Sequence, residues 1–284
     1  SLVSSIAAKA DFSWHAEREA RSAYCAVNAK PIWVQMGADP VICHPLGGMK
    51  RMVKACFIGQ RYADRDRWLA ALLDAKVPLD VFGSGWGAVE PSSLEVMPGE
   101  ESVYLGRPQM RPGSYSAYWR AIRQTIQSTG VVGGIARLYE QHRYRTKSRL
   151  LDERMREVAR GRASNMAATF AQYEVVLNLS NVWADGKPGS ALISHVRLRD
   201  FEAPMTRSCY LTGHTEELEE FYEIGREIDT YRSLEEFVDK TRFYLATPAA
   251  ADALREAGYR RAVRDHTWVR RFEELFRKIG MPGI

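Results

Sequence analysis

Short apolar runs alternate along this chain with longer stretches whose apolar residues recur at helical spacing. "MVKACFIGQ" reads as a buried strand ending at Gly59, and "RDRWLAALLDAK" then places Trp68, Leu69, Leu72 and Leu73 on one helical face. "VPLDVFGSGW" is the next strand, closed by glycines, and "SVYLG" is a third. Ahead of them, "DFSWHAEREARSAYCAVNAKPIWVQMGADP" predicts a strand, a helix and a second short strand. From Tyr115 to about Ala159 the pattern is helical and amphipathic, with a break near "TGVVGG". "MAATFAQYEVVLNLSNV" is a helix running into a strand. "ALISHVRLRDFEAPMTRSCYLT" holds a helix, expected to open at Ala203-Pro204, and a further strand. The remainder, from "SLEEF" onward, is helical, and Trp268, Phe272, Leu275, Phe276 and Ile279 form a stripe read as packing.

Strands alternating with helices imply an α/β fold, a parallel sheet with helices on both faces and a ligand site at the carboxyl ends of the strands. Gly59, Gly83, Gly85 and Gly106 end strands and are expected on that rim. The 284 residues are 45% apolar and 26% charged, which is globular, and long enough to bury a sizeable core. No apolar run reaches the roughly 18 residues of a membrane span. The start, "SLVSSIAAKADFSW", lacks the charged opening and apolar centre of a signal peptide. It begins inside what reads as an element, so an N-terminal part of a longer protein is expected to be missing.

Charge changes the picture regionally. The net +5 conceals a segment, Arg107 to Arg162, with thirteen Lys and Arg against four Asp and Glu. Tyr115, Tyr118, Trp119, Tyr139 and Tyr144 are interleaved with those cations. The segment fits a solvated face, an amphipathic helix on anionic lipid or a clamp on a partner protein; a nucleic-acid patch is a weaker reading. The four cysteines, Cys25, Cys43, Cys56 and Cys209, are dispersed without a C-x-x-C, which fits reduced thiols in cytoplasm. The six histidines show no H-E-x-x-H, so no metal site is expected.

In "FIGQRYADRDRW" a strand, Gly59, a loop with arginines and a helix start follow one another. That order suits a phosphate, although arginines at a helix start are also commonly just solvated. Asp64 and Asp66 form a literal D-x-D, but they lie several residues past the strand end. Asp64 is better read as the helix N-cap, with Asp66 in the first turn. "VFGSGWG" has G-x-G-x-G spacing and is followed by "AVEPSS", which is no helix, so a nicotinamide cofactor is not expected.

A set of motifs in order then carries a resemblance. These are "CFIGQRYADR", "VFGSGW", Leu177-Asn178, "RDFEAP" and "HTWVRR", His266 to Arg271. Together they resemble the CgeB/YkvP-like glycosyltransferases, relatives of retaining GT-B enzymes, over roughly residues 50 to 276 without the basic insert. The resemblance implies a GT-B-type Rossmann-like sheet plus a helical insert. Residues 1–45 would be a remnant of the acceptor-side domain with its linker. Residues 46–262 would bind the nucleotide-sugar, with the insert at about 113–162, and 263–284 would be a C-terminal helix with little left to pack on.

The implied activity is transfer of a sugar from a nucleotide-sugar to a glycan, lipid or protein acceptor, with retention, without metal and without cofactor, in the cytoplasm. The insert would make any peripheral membrane or protein contact. Arg65 falls where a basic residue meets the donor diphosphate, and Glu202 where a carboxylate accepts from the donor ribose. Gly59, Arg61, Gly83, Gly106, Asn178 and Arg199 complete the implied donor-binding set, Arg199 on the phosphate side. Two positions depart from the family pattern. Ser194 stands at the first carboxylate of the E-x7-E element, and Arg207 replaces a glycine, where it is expected to crowd the donor. Both favour a rival reading, a non-catalytic GT-B-like binding or structural module.

Overall fold

Every residue of Tyr173–Asn178 is buried, so this strand must be covered on both faces. The computed structural model describes residues 6–48, 50–87, 115–184, 186 and 188–281. In chain order its elements are β1 (Ser13–His15), α1 (Ala20–Cys25), β2 (Pro31–Trp33), β3 (Met52–Ile58), α2 (Arg65–Asp74) and β4 (Leu79–Phe82). Next come α3 (Tyr115–Arg149), α4 (Asp152–Val158), α5 (Met166–Ala171), β5 (Tyr173–Asn178), β6 (Asn181–Trp183) and β7 (Leu192–Ser194). The chain continues through α6 (Arg199–Met205), β8 (Tyr210–Gly213), β9 (Asp229–Tyr231), α7 (Leu234–Ala246), α8 (Pro248–Asp265) and α9 (Trp268–Lys278).

The main sheet is parallel, in the order β4-β3-β5-β8-β9. Alternate side chains serve two cores. Ala55, Phe57, Val175, Leu177 and Leu211 meet α2, α4 and α7 through Leu69, Met155 and Phe237. Cys56, Tyr173, Val176 and Tyr210 meet α5, α6 and α8 through Phe170, Phe201 and Ala262. Helices therefore cover both faces, as the pattern predicts. Cys43, Cys56 and Cys209 are buried free thiols and Cys25 is exposed.

The predicted strand-helix-strand at the front is present as β1, α1 and β2, a parallel pair separate from the main sheet. The expectation that the last helix has little to pack on does not match the structure: α9 lies on this small unit. Trp14 meets Trp268 at 5.8 Å and Phe272 at 6.4 Å, Arg271 donates to the Met36 carbonyl at 2.9 Å, and Lys278 donates to that of Trp33 at 2.7 Å. The aromatic stripe is only partly covered, with Phe272 39% exposed.

The predicted break in the basic insert falls at Gly130, whose φ of 73° and ψ of 172° kink α3. The helix expected to open at Ala203-Pro204 instead begins at Arg199 and ends at Met205, with Pro204 in its last turn. So close to the helix end, proline forfeits one backbone bond and breaks nothing further. The predicted strand "SVYLG", with Gly106, lies outside the described residues.

Candidate functional site

The chain runs from β3 outward to β4, then crosses back to β5 on the other side of β3. The crevice at the carboxyl ends of β3 and β5 is the switch point where ligands bind such sheets. Gly59 leaves β3 there and Gly83 leaves β4. A Cβ on Gly83 (φ 122°) would lie 2.3 Å from the Gly59 carbonyl oxygen, so glycine is what lets these two strand ends touch. The Gly59 carbonyl also accepts from the indole of buried Trp86 at 2.7 Å. "VFGSGW" thus shapes the strand ends from within.

Arg65 starts α2 and folds across the crevice. Its Nη1 donates to the Gln60 carbonyl at 2.9 Å and its Nε to the Leu179 carbonyl, beyond β5, at 3.1 Å. Its guanidinium lies 5.7 Å from the Phe57 ring centroid. It forms no ion pair with a described residue. Burial pushes its pKa down, and the nearby positive charge of Arg197 pushes it further. Arg197 touches Glu17 only at 3.7 Å, and its Nε is buried without a hydrogen-bond acceptor among the described residues. An arginine stays protonated under such pressure, so two under-neutralised cations converge on the switch point.

Asp200 holds this loop in place, and sequence reasoning missed it. It is 1% exposed and accepts from the Arg197 backbone N–H at 2.6 Å, Tyr210 at 2.7 Å, Thr212 at 3.1 Å and Asn178 at 3.3 Å. Burial raises its pKa, while those donors favour the ionised form. Asn178 therefore lies beneath the rim as part of this network. Only its place at a strand end was readable from sequence; Tyr210 and Thr212 come from a different strand.

Glu202 lies one turn into α6 with its side chain 20% exposed, and Arg199 sits 3.2 Å from its Oε2. Burial raises the Glu202 pKa and Arg199 opposes that shift. Arg199 also lies over the Phe170 ring at 5.3 Å, so it serves Glu202 and the helix packing. Arg61 turns toward the insert, where it binds Asp66 at 3.1 Å, Asp152 at 2.7 Å and the Ser148 carbonyl. Asp64 occupies the N-cap position of α2 without capping through its side chain. Its carboxylate takes the Trp68 indole at 2.8 Å and the Asn181 amide at 3.2 Å. Among the described residues no cluster of three His, Cys, Asp or Glu could hold a metal.

Ser194 faces Ser180, oxygen to oxygen, at 2.8 Å. Both line a cavity of about 290 Å³ with Asn181, His214 and Tyr231. Burial lowers the His214 pKa and Arg232 adds to that shift, which favours the neutral ring. A second, larger opening of about 770 Å³ lies between α3, the start of α2 and the β6–β7 hairpin. Tyr144 and Trp183, edge to face at 5.5 Å, form part of its wall. That antiparallel hairpin was not foreseen. Arg207 lies away from the carboxyl-end crevice, its carbonyl accepting from Arg51 ahead of β3. It follows α6 at its C-terminal end, with φ 59°, and pairs with Glu256 of α8 at 2.5 Å.

A family model described as "Glycosyl transferase-like" matches residues 117–277, more than half of the chain. The chain belongs to the glycosyl transferase-like family. No curated protein matches it. Solved structures agree in fold at low identity. TarM aligns with TM-score 0.56 and 10% identity over 97% of this chain and 45% of its own. Sucrose-phosphate synthase from Thermosynechococcus elongatus gives 0.55 and 13% over 98% and 61%. HepE from Anabaena, solved with UDP and glucose, gives 0.56 and 10% over 98% and 66%. This family member thus spans about half to two thirds of the length of the structures it matches. Its fold is α/β of the GT-B type, a Rossmann-like parallel sheet with helices on both faces and a helical basic insert. No helix among the described residues is long and apolar enough to cross a membrane.

Proposed function

We propose that this chain binds the nucleotide-diphosphate end of a sugar donor and serves a metal-independent, retaining sugar transferase of the CgeB/YkvP-like branch. The observation that carries the reading is the half-buried Arg65 guanidinium at the switch point, without a carboxylate partner among the described residues and under the positive charge of Arg197. A diphosphate between them would neutralise both. As the bond to the sugar breaks, charge grows on the leaving diphosphate, and preplaced cations stabilise that growth more than the ground state. Asp200 fixes the backbone of Arg197, so the second cation is preorganised.

Glu202 would hold the donor ribose. Its Oε2 is turned to Arg199, and a carboxylate has lone pairs to spare on Oε1 for hydroxyl groups. HepE was solved with UDP and with UDP-glucose, which favours a UDP-sugar as donor. No cofactor enters this scheme, and the acceptor would be a glycan, lipid or protein. Ser194, a hydroxyl where the family pattern has a carboxylate, favours a second reading, a binding module without turnover.

Calorimetry with UDP, GDP and ADP tests the proposal. UDP binding that weakens at least about tenfold in Arg65→Ala and in Glu202→Ala supports it. No binding of any nucleotide overturns it. Nucleotide binding without release of sugar from any UDP-sugar, alone or with acceptor glycans, supports the non-catalytic module.

A further inference from the structure

Among the described residues, the helix of the basic insert is fastened by one face. Gly134 is buried, and Tyr144 packs on Trp183 of the β6–β7 hairpin. Ser148 donates to Asp66 at 2.6 Å and its carbonyl accepts from Arg61. Positions 134, 137, 141, 144 and 148 recur at helical spacing and define that inner face. The opposite face carries Val131, Val132, Ile135 and Tyr139, which are 63%, 83%, 62% and 64% exposed. Four large apolar side chains in a row on solvent, within two turns and a half, need a reason.

Charge supplies it. From Val131 to Arg149 the helix has five Lys and Arg and a single acid, Glu140, which is paired with Arg143 at 3.4 Å. At 100° per residue, Arg143 and Lys147 flank the apolar stripe on one side, and Arg145 and Arg149 on the other. All four are exposed. We infer that the outward face of the insert lies on an anionic lipid surface, with Val131, Val132, Ile135 and Tyr139 entering the interface and the four cations reaching the headgroups.

The two features together select this occupant. A nucleic acid would meet the cations and leave the apolar stripe in water. A second copy would cover the stripe but bring like charges together with one Glu140 per chain to offset them. A layer of acidic headgroups over hydrocarbon satisfies both, since Lys and Arg stems lie along apolar surface while their heads stay at the charged layer. The carboxyl-end crevice is built from other segments, so membrane contact and nucleotide binding are separable.

Sedimentation of the 284-residue chain with vesicles tests the inference. Vesicles of equal parts phosphatidylglycerol and phosphatidylcholine are expected to carry the protein down, and pure phosphatidylcholine vesicles to leave it in solution. Ile135→Asp with Tyr139→Asp, and separately Arg143→Glu with Lys147→Glu, are each expected to weaken binding at least about tenfold. Raising salt from about 0.1 M to about 1 M should release the wild type. These side chains are exposed, so circular dichroism and UDP affinity should not change. No binding to the acidic vesicles, or binding that Ile135→Asp with Tyr139→Asp leaves intact, overturns the inference. So does a dimer in solution that the same pair of substitutions dissociates.

Discussion

Arg271 donates through Nη2 to Nδ1 of His266 at 3.0 Å, and His266 in turn donates through Nε2 to the Phe221 carbonyl at 2.8 Å. Since Nδ1 accepts, the ring is neutral. Burial, then the Arg271 charge, pushes its pKa from 6.5 to about 4. The "HTWVRR" element is therefore a joint between the sheet domain and the front segment, with Ala38 and Thr267 bridged and Arg271 on the Met36 carbonyl. A histidine whose folded pKa is depressed adds stability that is complete above the unfolded value of 6.5. That stability is lost as pH falls toward 4, and amounts to ~3 kcal/mol at most. The melting temperature should fall across that window. His266→Gln, which can keep both hydrogen bonds without titrating, should flatten the slope there although it lowers stability at pH 7. An unchanged slope would remove His266 from the acid response.

Arg61 and Asp66, 12% and 6% exposed, form the clamp that holds the insert to α2. Removing the cation leaves a buried carboxylate uncompensated. Arg61→Ala is expected to cost ~3 kcal/mol and to speed proteolysis within α3 and α4. UDP affinity should fall far less than in Arg65→Ala. If stability holds and UDP binding is lost, Arg61 belongs to the donor site, as its place in the sequence first implied.

How much could be read without coordinates follows from the range of each signal. The strand ending at Gly59 and the buried strand through Asn178 were legible because apolar runs and glycines are local features. So was the kink at Gly130. The direction of a side chain was not: Arg61 and Arg65 are four residues apart, one turned to the insert and the other across the crevice. Asp200 was passed over because its meaning rests on Tyr210 and Thr212, which meet it only where α6 packs on β8, and on Asn178, which the parallel pairing of β5 and β8 sets beside Thr212. The β6–β7 hairpin has three-residue strands, too short for alternation to be seen.

Gly258, in the middle of α8, is a packing requirement that helix propensity would not suggest. A Cβ there would lie 2.2 Å from the Glu227 carbonyl oxygen and 3.6 Å from Pro204 Cβ. In an open helix Gly→Ala stabilises. Here the backbone of a neighbouring segment must move, so Gly258→Ala is expected to destabilise by ~2 kcal/mol or more in urea unfolding. A stabilised variant would show that α8 does not approach that segment so closely.

Arg207 stands in a left-handed conformation just past α6, its N–H donating to the Pro204 carbonyl at 2.9 Å. This is the helix-ending position that glycine fills most easily, so the family's glycine reads as a helix stop. The strain costs an L-residue ~1–2 kcal/mol, and glycine avoids it at a smaller entropic cost. Arg207→Gly also gives up the Glu256 ion pair, which is about half exposed and contributes at most ~1 kcal/mol. Arg207→Ala loses the same pair and keeps the strain, so comparing the two isolates the backbone. The glycine variant should be more stable than the alanine variant by ~0.5–1 kcal/mol. Both should bind UDP like the wild type, because this end of α6 is remote from the crevice. An alanine variant as stable as the glycine one would refute the left-handed assignment. Tighter UDP binding in the glycine variant would instead return Arg207 to the rim.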